Sequence, residues 1–330
     1  MFIDVSLPHK SMSENPSMKT AASNQNGERK TKMKSFVKIG RNICLYFISA
    51  IIVAVSGYAL WSYAPWDSCE LPVFDYSHDR LIDWKEELGE MTVPDVIADW
   101  KESRVVTHAL GRIDQYTYTN SKEAFVSSYK RGARVFEVDL RMTKDGRLVC
   151  ARWLPATHAT FEEYMQYKIR DQYTPLSFRD LALMMQLCPD VYIITDTRNF
   201  LPHLVRRTFS ALVADAKSVD ETVLDRIIPQ LYNPSMIQQI ERVHSFREYI
   251  FTHYRRETWE YRILNLIERH PKVTCVTFRK AKVPASFCET LKARNIRTYT
   301  HTVNSIEEMR RFAALGIEGF YSDDLLDEDV

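Results

Sequence analysis

Three acidic residues stand in short runs of sequence that are otherwise apolar and β-branched. Glu137 and Asp139 lie one residue apart in the run VFEVDL, and Asp196 falls within the run VYIITDT. Side chains two residues apart on a β-strand point to the same face, so Glu137 and Asp139 would project side by side. Carboxylates this close raise one another's pKa unless a cation lies between them. Three together would form an all-oxygen site of the kind that Mg²⁺ or Ca²⁺ prefers.

Other polar residues end neighbouring strand-like runs or follow them closely. They are His108, Arg198, Gln230, His253 and His301. Any one of them alone is more often a helix cap, an ion-pair partner or a satisfied polar group than a functional residue. Three acids and a histidine that converge on adjacent strand ends are harder to explain in that way, and they favour a metal site with an acid–base group beside it.

The elements that must position these residues alternate regularly along the chain. Strand-like runs cover residues 104–109, 135–140, 191–197, 227–232, 248–254, 273–278, 297–303 and 318–323. Helical patterns lie between them, at residues 121–131, 177–187, 201–216, 234–244, 258–269, 284–294 and 305–315. Alternating strands and helices indicate a parallel sheet. Eight units over this length predict an α/β fold, a (β/α)₈ TIM barrel, whose active site lies at the carboxyl ends of the strands.

An open, doubly wound sheet is the alternative fold. It would favour a glycine-rich first turn that binds a dinucleotide, and the motif GxGxxG does not occur in the sequence. A formal net charge of +1 gives no support for nucleic-acid binding. The six cysteines form no CxxC pair, which argues against a zinc motif, and we interpret them mainly as small buried residues.

The N-terminal part differs in composition from the rest. Residues 1–41 contain eight Lys or Arg and three Asp or Glu, and they predict a basic, disordered tail. Residues 42–66 carry no charge and are long enough for one transmembrane helix. The positive charge before this segment predicts a single-pass membrane protein with a cytoplasmic N-terminus and an extracytoplasmic catalytic domain. A cleaved signal segment is the rival interpretation. Residues 67–103 would form a connector and residues 104–330 the barrel.

Several motifs, in order over residues 104–324, resemble the glycerophosphodiester phosphodiesterase family, in particular a bacterial membrane-anchored branch. They read HALG from His108, YTNS from Tyr118, FEVDL from Phe136, TKDG from Thr143, TPL from Thr174, TDTR from Thr195, PQLY from Pro229, HTVN from His301 and YSD from Tyr321. The family has a TIM barrel like that of phosphatidylinositol phospholipase C, which agrees with the strand count.

The resemblance implies roles for individual residues. His108 matches the family's first catalytic histidine, and Glu137, Asp139 and Asp196 match its metal ligands. Arg198, Gln230 and His301 become candidates for contacts with the substrate phosphate. The family's second catalytic histidine has no direct counterpart, because Ala151 and Arg152 stand where His-Asp is expected. His158 follows a few residues later and is the candidate replacement.

The resulting functional hypothesis is a phosphoric diester hydrolase that depends on Mg²⁺ or Ca²⁺. Its substrates would be glycerophosphodiesters or related phospholipids and lysophospholipids. The missing histidine leaves a second hypothesis open, a membrane-tethered barrel that binds phosphate-bearing lipid or polymer with little or no turnover. A glycosidase is disfavoured, because acids two residues apart on one strand do not flank a scissile bond from opposite sides.

Overall fold

A computed structural model describes residues 74–77, 82–89, 99–152, 155–253 and 260–330. Eight parallel strands form the centre of the described part. They are β1 (Val105–Thr107), β2 (Val135–Met142), β5 (Tyr192–Asp196), β6 (Ile227–Leu231), β7 (Tyr249–His253), β8 (Val273–Arg279), β9 (Arg297–His301) and β10 (Gly319–Ser322). Each pairs with its neighbour in chain order, and β1 pairs with both β10 and β2, so the sheet closes on itself. The predicted barrel is confirmed.

Two short strands that the sequence did not predict extend this sheet. Strands β3 (Leu148–Cys150) and β4 (Leu176–Ser177) pair in antiparallel fashion, and β3 folds back onto the end of β2. The backbone N–H of Ala151 continues the pairing by donating to the carbonyl of Asp139 at 2.8 Å. The chain just after β3 is therefore held against the carboxyl end of β2.

Helices cover the outside of the barrel at the predicted positions. The helices of the described part are α1 (Trp84–Leu88), α2 (Lys122–Lys130), α3 (Pro155–His158), α4 (Phe161–Gln166), α5 (Phe178–Leu187), α6 (Pro202–Val219), α7 (Ser235–Glu241), α8 (Glu260–Arg269), α9 (Ala285–Lys292) and α10 (Ile306–Ala313). Ser121 and Ser305 accept hydrogen bonds from backbone N–H groups in the first turns of α2 and α10, as N-caps do.

The side chains of β2 alternate between two cores. Val135 packs inside the barrel with residues of other strands, including Ile194 and Ile228. Phe136 and Val138 belong to the core between the strands and the helices. Since inward and outward residues alternate along a strand, Glu137 and Asp139 follow Val135 on the inner face, at the carboxyl end of the barrel.

The predicted membrane helix is not supported by the structure. Residues 42–66 lie outside the described residues, and within the described part no helix is both long and apolar enough to cross a bilayer. The prediction of a single-pass membrane protein with an extracytoplasmic catalytic domain is therefore contradicted. It rested on the composition and charge of the sequence alone, and an apolar run of sufficient length does not by itself show a folded membrane span.

Two segments of the predicted connector pack against the barrel. Trp84 is buried on Phe125 in an edge-to-face contact, and its indole N–H donates to the carbonyl of Asp180 at 2.8 Å. Trp100 is buried beside Tyr299 at the amino end of the barrel. The residues before the first strand thus contribute apolar surface to the fold as well as joining it to the N-terminal part.

Candidate active site

Glu137, Asp139 and Asp196 form a cluster at the carboxyl ends of β2 and β5. One oxygen from each residue lies within 4.8 Å of the others, and all three side chains are buried. The register pairs Asp139 directly with Asp196 across the two strands. Three buried carboxylates and no sulfur or nitrogen ligand fit a hard divalent cation such as Mg²⁺ or Ca²⁺. The structure thus brings the three predicted metal ligands together.

The backbone after His108 turns sharply toward this cluster. Ala109 and Leu110 both adopt positive φ angles, of 50° and 65°. The turn aims the backbone N–H of Ala109 at the Glu137 carboxylate, with a distance of 2.8 Å to Oε2. A Cβ on Gly111, whose φ is +100°, would lie 2.0 Å from the Ser128 hydroxyl oxygen, so this position requires glycine. The motif HALG therefore encodes a strained turn that joins His108 to the acid cluster.

His108 is held by an acid from the last strand of the barrel. Its Nδ1 lies 2.8 Å from Oδ1 of Asp323, and its Nε2 lies 3.9 Å from Oε2 of Glu137. Asn304 fixes Asp323 in turn, because its side-chain amide donates to Oδ2 at 2.7 Å and its oxygen accepts from the Asp323 backbone N–H at 2.9 Å. The ring of Tyr118 packs edge-on against the imidazole. The orientation of His108 is thus set from both sides.

The charges of these groups shift their proton affinities in different directions. Burial and the neighbouring Asp139 raise the pKa of Glu137 to about 8. Burial lowers the pKa of His108, but the hydrogen bond that its imidazole makes to Asp323 and the negative charge of Glu137 outweigh this effect, so the net shift is upward. Burial and the nearby positive charge of His108 lower the pKa of His301 to about 4. Near neutral pH, His301 is therefore neutral, whereas the environment of His108 favours its protonated form.

Two arginines contact the acid cluster directly. The Arg152 guanidinium donates from Nη1 to Oδ1 of Asp139 at 2.8 Å and lies 4.0 Å from Oδ2 of Asp196. Arg198 donates from Nε to Oδ2 of Asp196 at 3.2 Å, and the hydroxyl of Tyr232 donates to the other oxygen of that carboxylate. Both arginines also line the cavity above the cluster. Positive charge therefore surrounds the carboxylates on the side that faces solvent.

A cavity of about 740 Å³ opens at this end of the barrel. The predicted site residues that line it are His108, Glu137, Asp196, Arg198, Gln230 and His301. Asp139 lies beneath them in the cluster. His158 does not line the cavity; it is exposed at the end of α3. The structure thus brings together every predicted site residue except His158.

Several residues of the site were not assigned a role from the sequence. They are Tyr118, Asn120, Arg152, Tyr232, Asn304 and Asp323. Asn120 binds Asp139 twice, since its amide donates to Oδ2 and its oxygen accepts from the backbone N–H, each at 3.0 Å. Tyr232 and Asp323 are the last residues of predicted strands, so the rule that strand ends carry the site could have indicated them. No sequence signal could have placed the Arg152 guanidinium on Asp139.

Comparisons with known proteins agree with this site. The sequence model of the glycerophosphoryl diester phosphodiesterase family matches residues 111–151, the segment that carries Glu137 and Asp139. The comparison with curated proteins gives no match.

Solved structures resemble the fold closely in spite of low sequence identity. A glycerophosphodiester phosphodiesterase from Parabacteroides distasonis matches with a TM-score of 0.57 and 14% identity, over 67% of this chain and 92% of its own. One from Thermotoga maritima matches with a TM-score of 0.53 and 16% identity, over 67% and 94%. A phosphodiesterase from Oleispira antarctica, solved with the product sn-glycerol-3-phosphate, has a TM-score of 0.56 and 14% identity, over 67% and 92%.

The closed barrel, the family match and the acid cluster together define a phosphoric diester hydrolase. The resemblance of the chain's motifs to the glycerophosphodiester phosphodiesterase family is confirmed by the family model over residues 111–151 and agrees with the shared fold, whereas the membrane-anchored branch of that family stays a prediction.

Proposed function

We propose that this chain hydrolyses glycerophosphodiesters or the related phosphodiester of lysophospholipids, with a divalent cation at Glu137, Asp139 and Asp196. The observation that carries the proposal is that His108, Glu137 and Asp196 line the same cavity. Asp139 lies directly below them in the acid cluster. The catalytic unit would be residues 104–330. A divalent cation, when bound, would polarise a phosphoryl oxygen and stabilise the negative charge that builds there.

His108 and His301 are the proposed proton carriers. His108, held by Asp323 and with its pKa shifted upward, would give a proton to the leaving oxygen. His301 lines the same cavity and is neutral, so it can accept a proton from the water that attacks phosphorus, while the bond from phosphorus to the leaving oxygen breaks. This division of roles supplies the second imidazole that the altered His-Asp position lacks. His158 is the competing candidate for that role, although it lies exposed on α3.

Arg198 and Gln230 are the proposed contacts for the substrate phosphate. Arg198 lies at the cavity wall, and its planar guanidinium can bind two phosphate oxygens at once. Gln230 is buried in the cavity floor, where its side-chain oxygen accepts hydrogen bonds from Thr252 at 2.8 Å and Tyr321 at 3.3 Å. These contacts leave the amide N–H₂ of Gln230 as the group that could donate to a ligand.

The test is hydrolysis by the full chain of glycerophosphodiesters and lysophospholipids with Mg²⁺, with Ca²⁺ and with EDTA. We expect cation-dependent release of glycerol phosphate or its lysophospholipid equivalent. His108→Gln should lower kcat by about 10²- to 10⁴-fold, the usual contribution of a general acid or base. The matched control is His270→Gln, since His270 lies at the amino end of the barrel, away from the cavity.

The same assay distinguishes His301 from His158 as the second imidazole. We expect His301→Gln to lower kcat by a similar factor and His158→Gln to change it much less. A large loss in His158→Gln with little loss in His301→Gln would reverse that assignment. Absence of hydrolysis with every cation, or unchanged activity in His108→Gln, would contradict the enzymatic proposal.

A second candidate function is a barrel that binds a phosphate-bearing ligand without cleaving it. The observation that favours it is the ion pair between Arg152 and Asp139, which places a protein cation at the acid cluster. Under this alternative, the chain would bind a glycerophosphodiester in calorimetric titrations, and the bound ligand would be recovered intact.

A further inference from the structure

Arg152 lies at the acid cluster because of the antiparallel hairpin between β2 and β3. Its Nη1 is 2.8 Å from Oδ1 of Asp139 and 4.0 Å from Oδ2 of Asp196. Both carboxylates are buried, and only 13% of the arginine side chain is exposed. The guanidinium thus approaches two of the three candidate metal ligands in a poorly solvated place.

Tyr118 holds the other side of this guanidinium. The Arg152 Cζ lies 4.4 Å from the centre of the Tyr118 ring, within the range of a cation–π contact. The same ring packs edge-on against His108, with 4.6 Å between ring centres. Arg152 is therefore a packed part of the site that joins the acid cluster to the histidine.

The arginines compensate the negative charge of the buried carboxylates. Buried carboxylates are unfavourable unless positive charge compensates them. Arg152 supplies such charge to Asp139, and Arg198 supplies it to Asp196. The acid cluster therefore has counter-charges from the chain itself. A divalent cation that binds here meets ligands that already have a positively charged partner.

The contact between Arg152 and Asp139 also restricts where a divalent cation can bind. Divalent cations lie roughly 2.0–2.6 Å from their oxygen ligands. Oδ1 of Asp139 is already 2.8 Å from a guanidinium nitrogen, and Oδ2 accepts a hydrogen bond from Asn120. A divalent cation at Oδ1 would stand beside the guanidinium, where two positive charges repel strongly because little water screens them.

We propose that Arg152 is a resident counter-cation of the acid cluster and competes with the divalent cation for Asp139, so that cation binding requires displacement of its guanidinium. This inference rests on the proposed cation site and describes how that site is regulated. The cation affinity of the chain is then set by the strength of the Arg152 contact, and loss of this positive charge tightens cation binding.

The experiment measures cation binding by the full chain, without substrate. Ca²⁺, Mg²⁺ and Mn²⁺ are titrated calorimetrically into the EDTA-treated wild type and into Arg152→Gln, Arg152→Lys and Asp139→Asn. We expect the Kd of Arg152→Gln to fall about tenfold or more, since a repelling charge has been removed. Arg152→Lys keeps the charge and should stay near the wild type. Asp139→Asn removes a ligand and should weaken binding.

Arg134 provides a matched control. Its side chain is 14% exposed, it pairs with the buried Asp190, and its Cζ lies 4.3 Å from the centre of the Tyr129 ring, but it is not part of the acid cluster. Both Arg152→Gln and Arg134→Gln should lower the melting temperature in EDTA. Added Ca²⁺ should raise the melting temperature of Arg152→Gln by more than it raises that of the wild type, and it should raise that of Arg134→Gln only by the wild-type amount.

The outcomes separate the two proposals. The proposal that Arg152 competes with the cation is wrong if Arg152→Gln binds cations no more tightly than the wild type. It is also wrong if Arg152→Lys binds them as tightly as Arg152→Gln. Both results would hold even when the wild type hydrolyses its substrate. If no variant binds any cation, the cation site itself fails and the competition fails with it. Hydrolysis assays of the wild type test the proposed function independently of these titrations.

Discussion

At the scale of single residues, the site depends on polar groups that fix the functional side chains. His108 projects from the end of β1, but Asp323 and Asn304, which come from the other end of the domain sequence, determine its orientation. The negative charge of Asp323 also favours the protonated imidazole. Asp323 thus influences both the position and the charge of the His108 imidazole.

Asp323→Asn tests this positioning role. The amide keeps the shape of the carboxylate but loses its charge, so we expect kcat to fall by about ten- to a hundredfold, with a smaller change in KM. The pKa of His108 should fall, because a neighbouring negative charge that raises it has been removed. If protonated His108 is the acid, the alkaline limb of the kcat profile should therefore move to lower pH.

Unchanged kcat and an unchanged pH profile in Asp323→Asn would show that Asp323 does not act through His108. Thermal unfolding of the same variant separates a general loss of stability from a loss of positioning.

At the scale of elements, hydrogen bonds at the ends of helices and strands connect one element to the next. Arg226 makes such hydrogen bonds between the end of α5 and the start of β5. Its guanidinium donates to the carbonyls of Met185, Cys188 and Val191 at 2.6–3.0 Å. These carbonyls lie at or after the last turn of α5, where backbone acceptors have no partner inside the helix. One side chain thus ties the helix to the strand that presents Asp196.

Arg226→Ala should lower the free energy of unfolding by about 2–3 kcal/mol, since it leaves several partly buried carbonyls without their charged donor. Arg247→Ala is the control, because Arg247 is 68% exposed and pairs with the exposed Asp225. An exposed pair contributes only about 0–1 kcal/mol. Urea unfolding of both variants measures the difference, and equal losses would contradict the assignment.

At the scale of the whole molecule, the barrel must close between its last strands and its first. Gly319 opens β10 beside the buried ring of Tyr299, whose hydroxyl donates to the carbonyl of Ser103 at 2.9 Å, just before β1. A Cβ at position 319 would lie 2.2 Å from this ring. The close approach of β9 and β10 therefore depends on glycine.

Gly319→Ala should destabilise the protein by about 1–3 kcal/mol or more, because the ring and the strand must move apart. In a Tyr299→Ala background the added methyl group has space, so the second substitution should be much less harmful there. A double-mutant cycle of melting temperatures measures this coupling. Additive losses would show that the contact between Gly319 and Tyr299 does not limit closure.

The sequence by itself determined the barrel strands, the covering helices and the acid cluster. Those features follow from local periodicity: apolar residues alternate along β2 because one face meets helices, and Glu137 and Asp139 take the other face. The prediction from sequence was less successful for the residues before β1. The apolar composition of residues 42–66 indicated a membrane span, and the described part of the structure contains none.

Only the tertiary structure decided which charges meet at the cluster. The strands β3 and β4 have three and two residues, too short to give a periodic signal, yet the pairing of β3 with β2 carries Arg152 to Asp139. The closed barrel also brings His301 and Asp323 to the same end as the acids, although both lie far from Glu137 and Asp139 in the sequence, and it leaves His158 exposed. Contacts between residues this distant depend on how the barrel closes, and no local pattern encodes that closure.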